Sequence, residues 1–290
     1  MRRSFRPAAW PAVVSLAIVS ATPPLQAEQA NPSALTSNRP GIAESEALVG
    51  PGTLQVEAGV QASESPLGAE EQQEITWGEL AVRAGVTPRV EVFAGWDGLS
   101  LDRIQTNGES HIEAGGNDLR IGVKLALLDE DRHGLTLTLS PTWSFPIGDE
   151  RFGSGSEDWS LRVMWARTLP HDWSVSGNVL FNRTTDDLGR YWDNGVMLGV
   201  ARALTPGFSL FGEGVMVLLA DKPDVWTVDA GWAWVTSPNV QWDVSAGHSF
   251  HHRGDPWFVS GGLTLRRPRR TRVRPLAAGA RCRASGCGGE

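Results

Sequence analysis

In Leu119-Arg120-Ile121-Gly122-Val123-Lys124-Leu125-Ala126-Leu127 every second residue is a large aliphatic, and the residues between are charged or small. Only a β-strand has that period; wound as a helix, the same segment puts Leu and Arg on one side and has no apolar stripe. Residues 135–145 repeat the pattern with Thr and Ser on the second face. The alternation recurs over residues 54–62, 80–86, 90–96, 159–165, 173–181, 196–204, 208–218, 226–234, 242–250 and 257–265, which predicts twelve strands.

The connections alternate in length. Tight ones fall at Thr87-Pro88-Arg89, residues 129–134, Pro170-His171-Asp172, Thr205-Pro206-Gly207 and Ser237-Pro238-Asn239, most with a proline where the chain reverses and no ladder donor is needed. Longer ones fall at 63–72, 98–117, 147–157, 183–191, 220–224 and 251–255. Short turns on one rim and long loops on the other is the layout of a transmembrane β-barrel in a bacterial outer membrane. In hydrocarbon every backbone polar group must be paired, so the sheet has to close. Past residue 27 no apolar run approaches the roughly 18 residues of a membrane helix. The predicted fold is therefore all-β, a closed antiparallel barrel of about twelve strands. Trp96, Trp143, Trp165, Trp173, Trp192, Trp226, Trp234, Trp242 and Trp257 fall near strand ends, where aromatic girdles mark the two interfaces.

Export fits this reading. Arg2, Arg3 and Arg6 precede an apolar stretch over 8–21, and Leu25-Gln26-Ala27 ends like a cleavage site, so residues 1–27 read as a secretory signal peptide. Residues 28–51 lack transmembrane alternation and read as a periplasmic leader or a plug, 52–266 as the barrel, and 267–290 as a basic tail. Residues 28–265 hold 15 basic and 32 acidic residues, a net −17, whereas eight arginines crowd the segment from Arg266 onward. A body so acidic excludes nucleic acid as a partner.

The segment Thr36-Ser37-Asn38-Arg39-Pro40-Gly41-Ile42-Ala43-Glu44-Ser45, followed by Gly50-Pro51-Gly52-Thr53 and a strand through Glu57-Ala58-Gly59, resembles the opening of the outer-membrane transporter family associated with phenol degradation by the meta pathway. Gly85-Val86-Thr87-Pro88-Arg89, Phe145-Pro146-Ile147-Gly148-Asp149, Gln241-Trp242-Asp243 and Asp255-Pro256-Trp257-Phe258 continue the resemblance in order. It implies an outer-membrane barrel and uptake of small hydrophobic or aromatic compounds. The chain departs from that family at its end, where Arg267 stands in place of the terminal aromatic residue.

With Leu and Val toward lipid, the opposite face presents Glu57, Glu79, Arg83, Glu91, Asp97, Arg120, Lys124, Arg162, Glu213, Asp229 and Asp243 as lumen-lining candidates. Charges of both signs in a narrow barrel pair across the lumen and partly fill it. The alternatives at this level are a small-solute pore and an ion-pair network that only stabilises the barrel. If residues 28–51 fold back as a plug, Arg39 is the residue to meet the lumenal acids. No catalytic residue and no metal or cofactor site is expected. His248 and Ser249 are neighbours on a strand and point to opposite faces, and no G-x-S-x-G or H-E-x-x-H occurs, which leaves a lipase-like barrel the remote alternative. Acidic loops at 102–113 and 150–158 keep an adhesin or structural barrel open, but neither has Ca²⁺-loop spacing. Cys282 and Cys287 allow at most one small disulfide loop in the tail. Expected partners are outer-membrane lipid and lipopolysaccharide, the barrel assembly machinery and a small-molecule solute.

Overall fold

The structure is a computed structural model and describes residues 35–67, 70–106, 109–186, 189–219, 224–250 and 256–267. The expected signal peptide (1–27), the tail beyond Arg267 with its two cysteines, and the connections at 220–223 and 251–255 lie outside the described residues.

The chain forms β1 (Leu54–Leu67), β2 (Glu70–Thr87), β3 (Val90–Trp96), β4 (Leu99–Thr106), β5 (Glu109–Gly116), β6 (Leu119–Leu128), β7 (Thr136–Phe145), β8 (Asp158–Leu169), β9 (Trp173–Asp186), β10 (Gly189–Thr205), β11 (Phe208–Leu219), β12 (Val225–Ser237), β13 (Val240–Phe250) and β14 (Trp257–Arg267). One turn of helix, α1 (Glu130–His133), fills the tight connection before β7 and is capped by the Asp129 side chain. All strand pairings are antiparallel, and β1 pairs with both β14 and β2, which closes the sheet.

Twelve strands make the ring; β4 and β5 lengthen it. β2 pairs with β3 over its later half and with β4 over its earlier half, so β3 and β4 are one long strand broken at Asp97-Gly98, and β5 with β6 is its return. This corrects the expectation of a loop over 98–117. The expected loops at 63–72 and 183–191 are likewise largely strand, because β1, β2, β9 and β10 run on past the apolar band. Beyond the bilayer a strand has no apolar face, so the alternation that reveals a strand disappears although the hydrogen-bonded ladder continues.

Burial is inverted relative to a water-soluble fold. Among the described residues the buried apolar side chains are Val49, Met164, Met197 and Val215, against nineteen buried polar or charged ones. Leu80, Val92, Ile121, Leu198, Val200, Leu210 and Val228 are exposed on the outer face. Apolar outside and polar inside, alternating along each strand, is what a bilayer demands of a closed sheet. No helix among the described residues is long and apolar enough to cross a membrane. One register shift bears on the lumen: the pairing of β1 and β2 shifts at Gly59/Val60, where Gly59 faces Glu79 and Val60 faces Trp77. Gly78 takes the left-handed conformation there (φ 71°) as the extra residue. Glu79 consequently points inward while Trp77 turns out to the girdle, 59 % exposed. Trp143, Trp159, Trp192, Trp226 and Trp257 are exposed on the outer wall near the long-hairpin rim, and Trp173, Trp234 and Trp242 near the turn rim.

Candidate functional site in the barrel lumen

Residues 36–49 lie inside the ring and bond to side chains from strands all around it. The densest contact is with β1, β2, β3 and β6. Arg83 on β2 forks onto Glu91 of β3 (Nε to Oε1 2.7 Å, Nη2 to Oε2 3.0 Å) and donates to Glu57 of β1 (2.8 Å). Its remaining N–H groups donate to the carbonyls of Thr36 (3.1 Å) and Ala47 (2.9 Å), so all five donors are used. Glu57 also accepts from the Asn38 amide and from Gln55, and Glu91 from the Val49 amide at 2.6 Å. Lys124 on β6 donates to Asn38 Oδ1 (2.7 Å) and the Ser45 carbonyl (2.6 Å). Arg83, Glu91 and Lys124 are fully buried and Glu57 nearly so. A charge so far from water persists only when its partners are complete.

Arg39 is the second anchor. Its guanidinium bonds Glu79 (2.8 Å), Asp243 (3.2 Å) and the Ser260 hydroxyl (2.7 Å), which joins β2, β13 and β14 through one side chain. The slot it occupies exists because Gly59 and Gly262, paired across β1 and β14, carry no Cβ; a methyl group on either would run into the guanidinium. Ser37 meets Thr264 (2.8 Å), Ser245 donates to the Pro40 carbonyl (3.1 Å), and Thr138 donates to the Glu46 carbonyl (2.8 Å).

Toward β8–β12 the packing is looser, and two cavities remain. One, of about 310 Å³, opens on the long-hairpin side and is bordered by Asp97, Arg120, Phe152, Asn182 and Arg162 among others. The other, of about 460 Å³, opens toward the turns and is bordered by Glu44, Ser176, Ala201, Ser209 and Ala233. Arg162 on the first cavity and Glu44 on the second meet at 3.5 Å, and Lys124 approaches Glu44 from the packed side at 3.8 Å. Burial acts to raise the Glu44 carboxyl, but Arg162 and Lys124 outweigh it and hold it down to about 2. Asn178 fixes the Glu44 backbone on both sides, accepting from its N–H (3.0 Å) and donating to its carbonyl (3.1 Å). Glu213 accepts from the Ala43 amide at 3.0 Å, whereas both buried carboxylate oxygens of Asp229, its cross-strand neighbour, are without a hydrogen-bond partner in the structure.

Of the residues expected to line the lumen, Glu57, Glu79, Arg83, Glu91, Lys124, Arg162, Glu213, Asp229 and Asp243 face the interior. Asp97 and Arg120 are at the mouth, roughly half exposed, and pair with each other. A search restricted to charged residues on strands misses Gln55, Thr138, Asn178 and Ser260, which lie on the inward parity, and Glu44, which precedes the first strand. His248 packs edge-on against Phe250 while Ser249 bonds Thr227 at 2.7 Å, so those neighbours do face opposite ways. Among the described residues no group of three or more metal-ligating side chains comes together.

A family model described as "Putative MetA-pathway of phenol degradation" matches residues 37–266. Among solved structures, the transport unit of the autotransporter AIDA-I from Escherichia coli is similar at a TM-score of 0.48, with 8% identity over 73% of this chain and 89% of that one. The CymD monoaromatic hydrocarbon channel gives 0.46, with 7% identity over 76% and 90%. The KdgM porin gives 0.45, with 7% identity over 72% and 98%. No curated protein matches the chain.

Proposed function

The chain belongs to this phenol-degradation family, and on that premise we propose that it is a narrow outer-membrane channel whose own residues 36–49 plug the lumen. Small solutes diffuse from the long-hairpin cavity to the turn-side cavity along the wall of β8–β12, passing the point where Arg162 meets Glu44. The observation that carries the reading is the uneven anchoring of the segment: every donor of Arg83 is committed on one side, while the other side keeps two cavities, one bordered by Arg162 and the other by Glu44, which meet as an ion pair. The family supports small aromatic compounds as the cargo.

Planar-bilayer recording tests the channel. The intact protein should give small unitary steps, and a variant lacking residues 36–48 much larger ones; equal conductance in the two would remove the plug from the account, and silence in both would leave a structural barrel. Uptake of an aromatic carbon source at low concentration, compared between cells with and without the protein, tests the cargo, and unchanged uptake counts against it.

A further inference from the structure

On the outer wall near the long-hairpin rim, Arg183 of β9 lies directly across from Trp159 on β8 and from Trp192 on β10. The two indoles meet edge to face at 5.4 Å, and the guanidinium lies over the Trp192 ring, 5.4 Å from its centre. Trp143 extends the row on β7. Two residues further toward the rim on the same face of β10, Arg190 is held by the Ser156 hydroxyl (2.9 Å) and the Glu157 carbonyl (3.0 Å). Among the described residues neither arginine is paired with a carboxylate, and Arg183 makes no hydrogen bond. In a chain whose body carries −17, that leaves a local cationic spot facing out of the barrel.

Height along the wall places the spot at an interface. The turn rim has a matching pair, Arg202 over Trp173 at 5.3 Å. Ten residues separate the two pairs, from 173 to 183 on β9 and from 192 to 202 on β10. At about 3.3 Å per residue and a tilt of about 40°, this is ~25 Å, the height of an outer-membrane barrel's apolar band. Val175, Val179 and Phe181 fill the interval on β9, and Val196, Leu198 and Val200 on β10. Arg183 and Arg190 are therefore at the depth of lipid headgroups, where a planar fork with free donors suits a phosphate monoester and flanking indoles suit a sugar ring.

We infer that Arg183, with Arg190 above it and Trp159 and Trp192 beside it, is a docking site for a phosphorylated glycolipid of the outer leaflet, the phosphate on the arginines and the sugar against the indoles. The inference rests on the outer-membrane placement of the proposed function and takes the long-hairpin rim as the outward one, where such barrels carry their longer loops. Native mass spectrometry of the folded protein titrated with bisphosphorylated lipid A, dephosphorylated lipid A and phosphatidylglycerol tests it. The bisphosphorylated form should bind most tightly. Arg183→Gln should weaken it about tenfold, the loss of one charge-assisted contact, while Arg202→Gln at the other rim leaves it unchanged. Equal binding of all three lipids, or an Arg183→Gln variant that binds like the parent, overturns the site. Heat-modifiable mobility on gels shows whether each variant is folded, and bilayer conductance, which this surface does not touch, keeps a failure here distinct from a failure of the channel.

Discussion

Across the lumen, the wall of β1, β2, β3 and β6 presents Gln55, Glu57, Arg83, Glu91 and Lys124, none more than 3 % exposed. The wall of β8–β12 presents Ala166, Ser174, Ser176, Ala201, Ser209 and Ala233 to a cavity. Both walls obey the same alternation and have the same apolar exterior. What differs is side-chain volume and charge on the inward parity. Large ionic groups bind the 36–49 segment to one wall, and small residues leave space beside the other, so a single strip of chain leaves the barrel closed on one side and hollow on the other.

The comparison breaks most visibly at Arg83. Arg83→Met removes the cation that bonds both Glu57 and Glu91 and leaves two buried carboxylates without it. The expected loss is about 3–5 kcal/mol of stability, read as a lower urea midpoint for unfolding of the barrel in detergent. Glu57→Gln in the same background should recover part of it, because one of the stranded charges is then gone. Equal stability of Arg83→Met and the parent would mean that the network is solvated and that the two walls do not differ as described.

The hollow wall is tested by filling it. Ser176→Trp or Ala201→Trp places an indole in the turn-side cavity and should lower conductance several-fold with little change in unfolding midpoint, since both positions border empty space. An indole at Thr138, on the packed side, should destabilise the barrel instead, because no room exists there for added volume. If all three variants behave alike, the asymmetry carries no function.

How much of this was legible from the residues alone follows from the same asymmetry. The ring was legible because hydrocarbon imposes a period of two on every strand, as in residues 119–127. The inward charges followed from the parity of those strands, and the pairing of Arg39 with lumenal acids from its place in a segment too polar and irregular to cross. The hollow wall was not legible, because Ser176, Ala201 and Ala233 are read as small residues on an inward face, and only the closed ring shows that nothing opposite fills the gap. Trp77 was not legible as a girdle residue for a local reason: it precedes the alternating run at 80–86, and the bulge at Gly78 reverses the parity between the two. Glu44 borders the turn-side cavity and meets Arg162 of the other, yet nothing in residues 36–49 distinguishes it from Glu46, since that meeting is with a residue 118 positions later.

Glu44→Gln sharpens the comparison at its boundary. It removes the charge that meets Arg162 while keeping the backbone bonds to Asn178, so the segment should stay in the lumen and its contact with Arg162 should weaken. Glu44 and Arg162 retain some exposure, 22 % and 14 %, but Lys124 on the other side of Glu44 is fully buried, so the stability cost is above that of an exposed pair, about 1–3 kcal/mol. Conductance should rise modestly, well short of the deletion of residues 36–48. A rise as large as in the deletion would mean that Glu44 anchors the whole segment.

The smallest effect is expected at the mouth. Asp97 and Arg120 pair there with side chains 47 % and 44 % exposed, so water and salt screen an attraction that has no desolvation to offset. Asp97→Asn should change stability by about 0–1 kcal/mol and leave the 36–49 segment in place, because that segment is anchored by hydrogen bonds to Glu57, Arg83, Glu91, Lys124 and Glu213 rather than to the mouth. Any change belongs instead to ion preference, since the long-hairpin cavity loses an acid next to Arg120 and Arg162 and its entrance becomes less attractive to cations. Reversal potentials under a salt gradient should shift toward anions at low ionic strength and return toward the parent value as salt shortens the Debye length from about 30 Å at 0.01 M to about 3 Å at 1 M. A loss at Asp97 comparable to that at Arg83 would mean that the ionic network extends to the rim, and the division between a packed wall and a hollow one would have to be redrawn around the mouth.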